Sequence, residues 1–144
     1  MPESIQDDVM VRLVAAADRA EIIENLSRYH HIIDSADWDS LSRIFTDDAR
    51  SSVVRLSSDK REMLIDLEGF AAIHDWLAEV NKRPFRQHYM TNHVFTSLDR
   101  DAAETRSYLS VRDKPIGGIY EADHVRTPNG WRIKRLALLQ YTGT

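Results

Sequence analysis

Apolar residues in the first third of the chain recur at helical intervals. Ile22, Ile23, Leu26, Tyr29, His30 and Ile33 fall three and four apart, and Asp18 followed by Glu21 has capping-box spacing, so the pattern predicts an amphipathic helix from about Asp18 to Ile33. Trp38, Leu41, Ile44 and Phe45 form the apolar side of a second, short helix, with Asp37 as its N-cap and Asp47-Asp48 closing it. Phe70, Ile73, Trp76, Leu77 and Val80 return to the same period, and Pro84 follows where a third helix would stop.

Elsewhere the period drops to two. Val53, Val54 and Leu56, then Met63, Ile65 and Leu67, read as two short strands within Ala49 to Leu67, joined around Ser57-Ser58-Asp59. Beyond Pro84, four stretches rich in Tyr, Thr, Val and Ile (86–98, 102–111, 116–126 and 131–141) alternate with turn sequences. Consecutive strands with short turns imply an antiparallel meander, and helices first with sheet last imply an α+β fold. Such a sheet needs helices over one face. The expected architecture is therefore a strongly curved, mixed or antiparallel sheet under about three helices, a cone around an internal pocket. Gly117-Gly118 suits a bulge or sharp bend in it.

Composition narrows the function classes. The chain has 144 residues, the size of one compact domain (1–144), and 42% hydrophobic with 29% charged residues excludes a disordered or fibrous chain. A net charge of -4 with scattered arginines offers no basic stripe, which argues against nucleic acid as a partner. With no cysteine there is neither a disulfide framework nor a thiol nucleophile, and a reducing, cytoplasmic setting fits best. The first residues lack the basic flank and apolar run of a signal peptide, and no stretch reaches the ~20 apolar residues of a membrane helix.

Candidate chemistry starts with six histidines: His30, His31, His74, His88, His93 and His124. An imidazole suits proton transfer at neutral pH. Strict alternation from Arg86 onward puts His88, Met90, Asn92 and Val94 on one face and Tyr89, Thr91, His93 and Phe95 on the other, so only one of His88 and His93 can face a cavity. Asp34 ends an otherwise apolar helix face one turn after Tyr29 and His30, where an acid opposes the helix dipole. It either orients a histidine or merely ends the helix, and spacing alone supports both readings. Tyr29 reads equally as a core aromatic with its hydroxyl at the rim. His30-His31 reads as one buried and one solvated side chain, and His74 beside Asp75 as surface. No His-Glu-x-x-His, nucleophile elbow or Gly-rich phosphate loop is present, so no metal and no cofactor is expected.

Arg19-Ala-Glu-Ile-Ile through Tyr29 and Asp34, Asp37-Trp38-Asp39-Ser40-Leu41, and Phe45-Thr46-Asp47-Asp48-Ala49 resemble the opening of SnoaL-like proteins of the nuclear transport factor 2-like superfamily. Gln87-His88-Tyr89-Met90-Thr91-Asn92, Gly117-Gly118-Ile119-Tyr120 and Asn129-Gly130-Trp131-Arg132-Ile133 resemble its later strands. The sequence is most similar to the branch holding scytalone dehydratase, bile acid 7α-dehydratase and lindane dehydrochlorinase. By that resemblance, Asp34 and His88 match the catalytic aspartate and histidine of cofactor-free lyases, and Tyr29 matches a tyrosine of the dehydratases. The sequence departs from them at Ser51, Ser52 and Val53, where those lyases carry pocket aromatics, and at Gln140, roughly where the dehydrochlorinase has an arginine.

The resemblance implies a dehydratase-type lyase acting on a small hydrophobic hydroxy compound, aromatic or polycyclic. In it, His88 removes a proton, Asp34 holds the imidazole, Tyr29 polarises an oxygen, and Asn92, Tyr108, Tyr120, Gln140 and Trp38 contact substrate. An isomerase of the ketosteroid isomerase kind and a non-catalytic binding or oligomerisation module are the alternatives, because fold does not fix function. A homodimer or homotrimer is expected, through a sheet face bearing Val94, Leu109 or Leu136 outward.

Overall fold

The computed structural model describes residues 4–82 and 86–142. In chain order its elements are α1 (Ile5–Ser35), a 3-10 helix (Trp38–Arg43), β1 (Phe45–Leu56), β2 (Arg61–Glu68), α2 (Phe70–Val80), β3 (His88–Leu98), β4 (Ala102–Val111), β5 (Ile116–Thr127) and β6 (Gly130–Thr142). The strands form one sheet in the order β2-β1-β6-β5-β4-β3. β1 runs parallel to β6, and all other neighbours are antiparallel. The sheet is curved and unclosed, and the fold is the expected α+β cone with three helices. Pro84 lies outside the described residues.

The core sits between the concave sheet face and the helices. Ile22, Leu26, Ile32 and Ile33 of α1 and Ile73 and Leu77 of α2 bury against Trp131, Ile133 and Leu136 of β6. Alternation is complete along β4, where Ala103, Thr105, Ser107, Leu109 and Val111 are buried and the residues between them exposed.

α1 is much longer than its periodic stretch. It starts at Ile5, capped by the Ser4 hydroxyl, which accepts from the Asp7 amide at 3.2 Å. Its first turns show no apolar face because Val9, Met10, Val11, Leu13 and Val14 are all exposed. Asp18 and Glu21 are therefore not a capping box. They grip β5 and β6 from mid-helix: Asp18 accepts from the Trp131 indole N–H (3.0 Å) and from Arg126 (2.7 Å), and Glu21 accepts from the Trp131 amide (3.2 Å). Asn25 completes the set by donating to the Trp131 carbonyl (2.8 Å). A Cβ at Gly130, whose φ is +104°, would come 2.5 Å from Glu21 Oε1, so the helix packs there against bare backbone.

Asp47 and Asp48 do not close a helix. The 3-10 helix ends at Arg43, the Ile133 amide donates to the Ile44 carbonyl (2.7 Å), and β1 begins with the acidic pair exposed on it. Gly117 and Gly118 pair regularly with both neighbouring strands, and the irregularity in β5 falls instead between Asp123 and His124. What Gly118 permits is close approach: a Cβ there would stand 2.5 Å from the Leu139 carbonyl oxygen. Leu109 and Leu136 point inward and are buried, leaving only Val94 of the expected contact residues exposed.

Strict alternation fails in β3. The register with β4 slips between Thr91 and Val94, and Asn92 takes φ +56°. That bulge adds a residue and flips the phase, so His88, Met90, His93 and Phe95 share the less exposed face, and a second slip between Phe95 and Ser97 brings Leu98 onto it. Both His88 and His93 therefore lie on the side the strict period assigned to only one of them.

Candidate active site

A cavity of about 150 Å³ opens between the concave face of the sheet and α1 and α2. Its walls are apolar, from Ile33, Val53, Trp76, Leu77, Leu109, Leu136 and Leu138. At one part of the lining Tyr29, His30, His88 and Tyr120 come together. α1 delivers its share by period: Tyr29 and Ile33 are one turn apart on the buried face, and His30 and Asp34 are one turn apart beside them.

The helix then stops. Ala36 adopts a left-handed conformation with its amide on the Ile32 and Ile33 carbonyls, and the Asp34 carboxylate in the last turn reaches across to β3. It takes two hydrogen bonds from one residue there. His88 Nδ1 lies 2.5 Å from Oδ1, and the His88 backbone amide donates to Oδ2 at 3.0 Å. Those donors offset the unfavourable helix dipole at Asp34. An ionised carboxylate only accepts, so in this pair Nδ1 is the donor, and in the neutral imidazole Nε2 then carries the lone pair. The side chains are 15% and 21% exposed, enough for contact with a ligand and little enough to limit competition from water.

Around this pair is an aromatic cage. The His30 ring stacks on His88 with centroids 4.8 Å apart and planes 3° from parallel, while Tyr29 and Tyr120 lie 4.9 and 5.6 Å from His30. Burial pushes the Tyr29 hydroxyl well above its ordinary pKa. The Tyr120 hydroxyl is raised in the same way by burial, with Tyr29 and Asp34 adding to it. Both stay protonated at neutral pH and can donate. Burial, then the neighbouring His88 and His31, pushes His30 down to about 3. Its two ring nitrogens are buried with no hydrogen-bond partner among the described residues.

Of the residues expected at the site, Tyr29, His88, Tyr120 and Gln140 line the cavity, and Asp34 stands behind His88. Three do not. Tyr108 is 54% exposed on the outer face of β4, opposite in phase to the buried Ser107 and Leu109. Asn92 is exposed in the β3 bulge, and Trp38 packs partly buried against the core. His93 is held by Ser107 (Nδ1 to Oγ 2.7 Å) and His124 by Thr105 (2.9 Å), while His74 pairs with Asp75 near the surface. The cavity also gathers Ser51, Ser52, Trp76, Asn81 and Arg86. Of these, sequence periodicity marked only Trp76, on the apolar face of α2; Ser51 and Ser52 stood out solely as departures from the lyases. Among the described residues no three His, Cys, Asp or Glu side chains converge as a metal site requires. No described helix is long and apolar enough to cross a membrane.

The sequence profile of the SnoaL-like domain matches residues 14–137, a span that contains α1 from Val14, the dyad and nearly all of the sheet. The chain belongs to the SnoaL-like domain family. A relative, an uncharacterized protein of Mycobacterium tuberculosis, is 30% identical over 143 aligned positions, covering 92% of this chain and 91% of its own. Two solved structures from Novosphingobium aromaticivorans are similar. One, provisionally named an aromatic ring hydroxylase, is 27% identical with a TM-score of 0.71 over 86% of this chain and 89% of its own. The other, provisionally named a scytalone dehydratase, is 18% identical with a TM-score of 0.70 over 92% and 87%. The SnoaL-like domain here has the cystatin-like, nuclear transport factor 2-like fold.

Proposed function

We propose that this protein is a cofactor-independent carbon–oxygen lyase of the dehydratase kind, acting on a small, largely apolar hydroxy compound. The observation that carries the reading is the double grip of Asp34 on His88, which leaves Nε2 as a base beside a closely walled, mostly apolar cavity. Nε2 takes a proton from carbon next to a carbonyl, and that bonding pair becomes the carbon–carbon double bond. The carbon–oxygen bond on the neighbouring carbon breaks, and the leaving hydroxide takes the proton back from His88 and departs as water. Tyr29, kept protonated by burial, donates a hydrogen bond to the leaving oxygen. Asp34 stabilises the imidazolium that exists between the two transfers.

General base catalysis contributes about 10²- to 10⁴-fold. Replacing His88 by Ala or Asp34 by Asn is expected to lower turnover of a true substrate within that range. A loss smaller than tenfold would remove the pair from the mechanism. We also propose that the protein self-associates: the exposed Ile5, Val9, Met10, Val11, Leu13 and Val14 put apolar side chains around the first turns of α1, a surface that favours burial against a second copy.

A further inference from the structure

We propose that the cavity takes a compact monocyclic carboxylate, its ring inside and its carboxylate at Arg86. This rests on the acid/base reading of His88 and adds the chemical class of the substrate.

Volume sets the size. A volume of about 150 Å³ is the size that holds a single six-membered ring such as benzene. Ile33, Trp76, Leu77, Leu109, Leu136 and Leu138 give that ring apolar contacts on its faces and edge. A fused polycycle would leave most of its rings outside.

Charge sets the functional group. Among the described residues the cavity lining contains no Asp or Glu, and Arg86, an exposed residue, is its one Arg or Lys. The partly buried carboxylate of Asp34 is already taken up by His88. Neighbouring Lys82 is bound to Glu79 at 2.8 Å, whereas Arg86 takes part in none of the ion pairs among the described residues. A guanidinium offers a carboxylate a bidentate fork. Arg86 precedes His88 by two residues, about 7 Å of extended chain, roughly the span of one ring with its substituent. A carboxylate held at Arg86 therefore leaves the far side of a single ring within reach of the base.

The test is to titrate benzoate and its neutral isostere benzamide into the wild-type protein and R86Q, following binding by calorimetry. Wild type is expected to bind benzoate about tenfold more tightly than benzamide, as a charge-assisted hydrogen bond implies. In R86Q the two should bind alike. Equal affinities in the wild type, an undiminished preference in R86Q, or no benzoate binding at millimolar concentration would each overturn the proposal. The His88 tautomer, read by nitrogen NMR on the same samples without ligand, reports on the acid/base reading separately, so the two can fail independently.

Discussion

The imidazoles of His30 and His88 lie face to face, 4.8 Å between centroids and 3° from parallel. Two imidazolium cations at that distance repel, so only one ring can carry the charge that catalysis needs. His88 has the carboxylate, and His30 has no partner for either nitrogen among the described residues. His30 is therefore a neutral wall that holds the base flat against the cavity.

That role has a pH signature. His30 and His124 are pushed from the ordinary 6.5 to about 3 and about 4, both chiefly by burial. Between those values and 6.5 the unfolded chain binds more protons than the folded one. Their contribution is thus intact above 6.5 and lost as pH falls, each by up to about 1.4 kcal/mol per pH unit. Urea denaturation from pH 7.5 to 4.5 should show stability declining on acidification, and H30F, which keeps a flat ring in place, should lower the slope by about one proton. An unchanged slope would mean that His30 is not held neutral.

Asp18 should be a stability residue with no part in catalysis. It accepts from the fully buried Trp131 indole and pairs with Arg126. D18A leaves a buried donor unpaired and is expected to cost about 1–3 kcal/mol in denaturant unfolding, with the His88 tautomer unaltered. A change under 0.5 kcal/mol, well below that loss, would show that the contact is dispensable.

The bulge at Asn92 sets which side chains of β3 face inward. Its φ of +56° suits Gly and Asn and strains a β-branched residue. N92G should be close to neutral, and N92V should destabilise by about 1–2 kcal/mol, seen as a lowered melting temperature. Equal melting temperatures for the two would argue against the left-handed conformation.

The apolar start of α1 should show in the oligomeric state. Native mass spectrometry is expected to find a dimer or trimer, and V11E with V14E should shift it towards monomer. A wild-type monomer at micromolar concentration would contradict self-association.

Much of this was legible from residue order. α2 and β4 followed their periods, and β4 matched its expected limits of Ala102 and Val111. The exceptions have physical reasons. Helix length was hidden because Val9 to Val14 have no core to face, so no periodic stripe marks them. Asp18 and Glu21 look like a cap by spacing, yet their partner Trp131 is more than a hundred residues away. The Asn92 bulge adds one residue to β3, and nothing in the alternation before it foretells the change of phase. At the site, Asp34 stood out as an acid against the helix dipole and by the family resemblance. Tyr108 was misplaced because an aromatic on a strand of uncertain phase fits either face. His30 is four residues before Asp34, a spacing that could have joined it to the pair, and Arg86 carried no periodic signal.

Nitrogen NMR of His88 in the ligand-free protein is the most direct measurement. The expected spectrum at pH 7 shows the proton on Nδ1, strongly deshielded by Asp34, and an unprotonated Nε2, with this signature lost in D34N. A proton on Nε2, or a ring that titrates identically with and without the Asp34 carboxylate, would contradict the proposed mechanism.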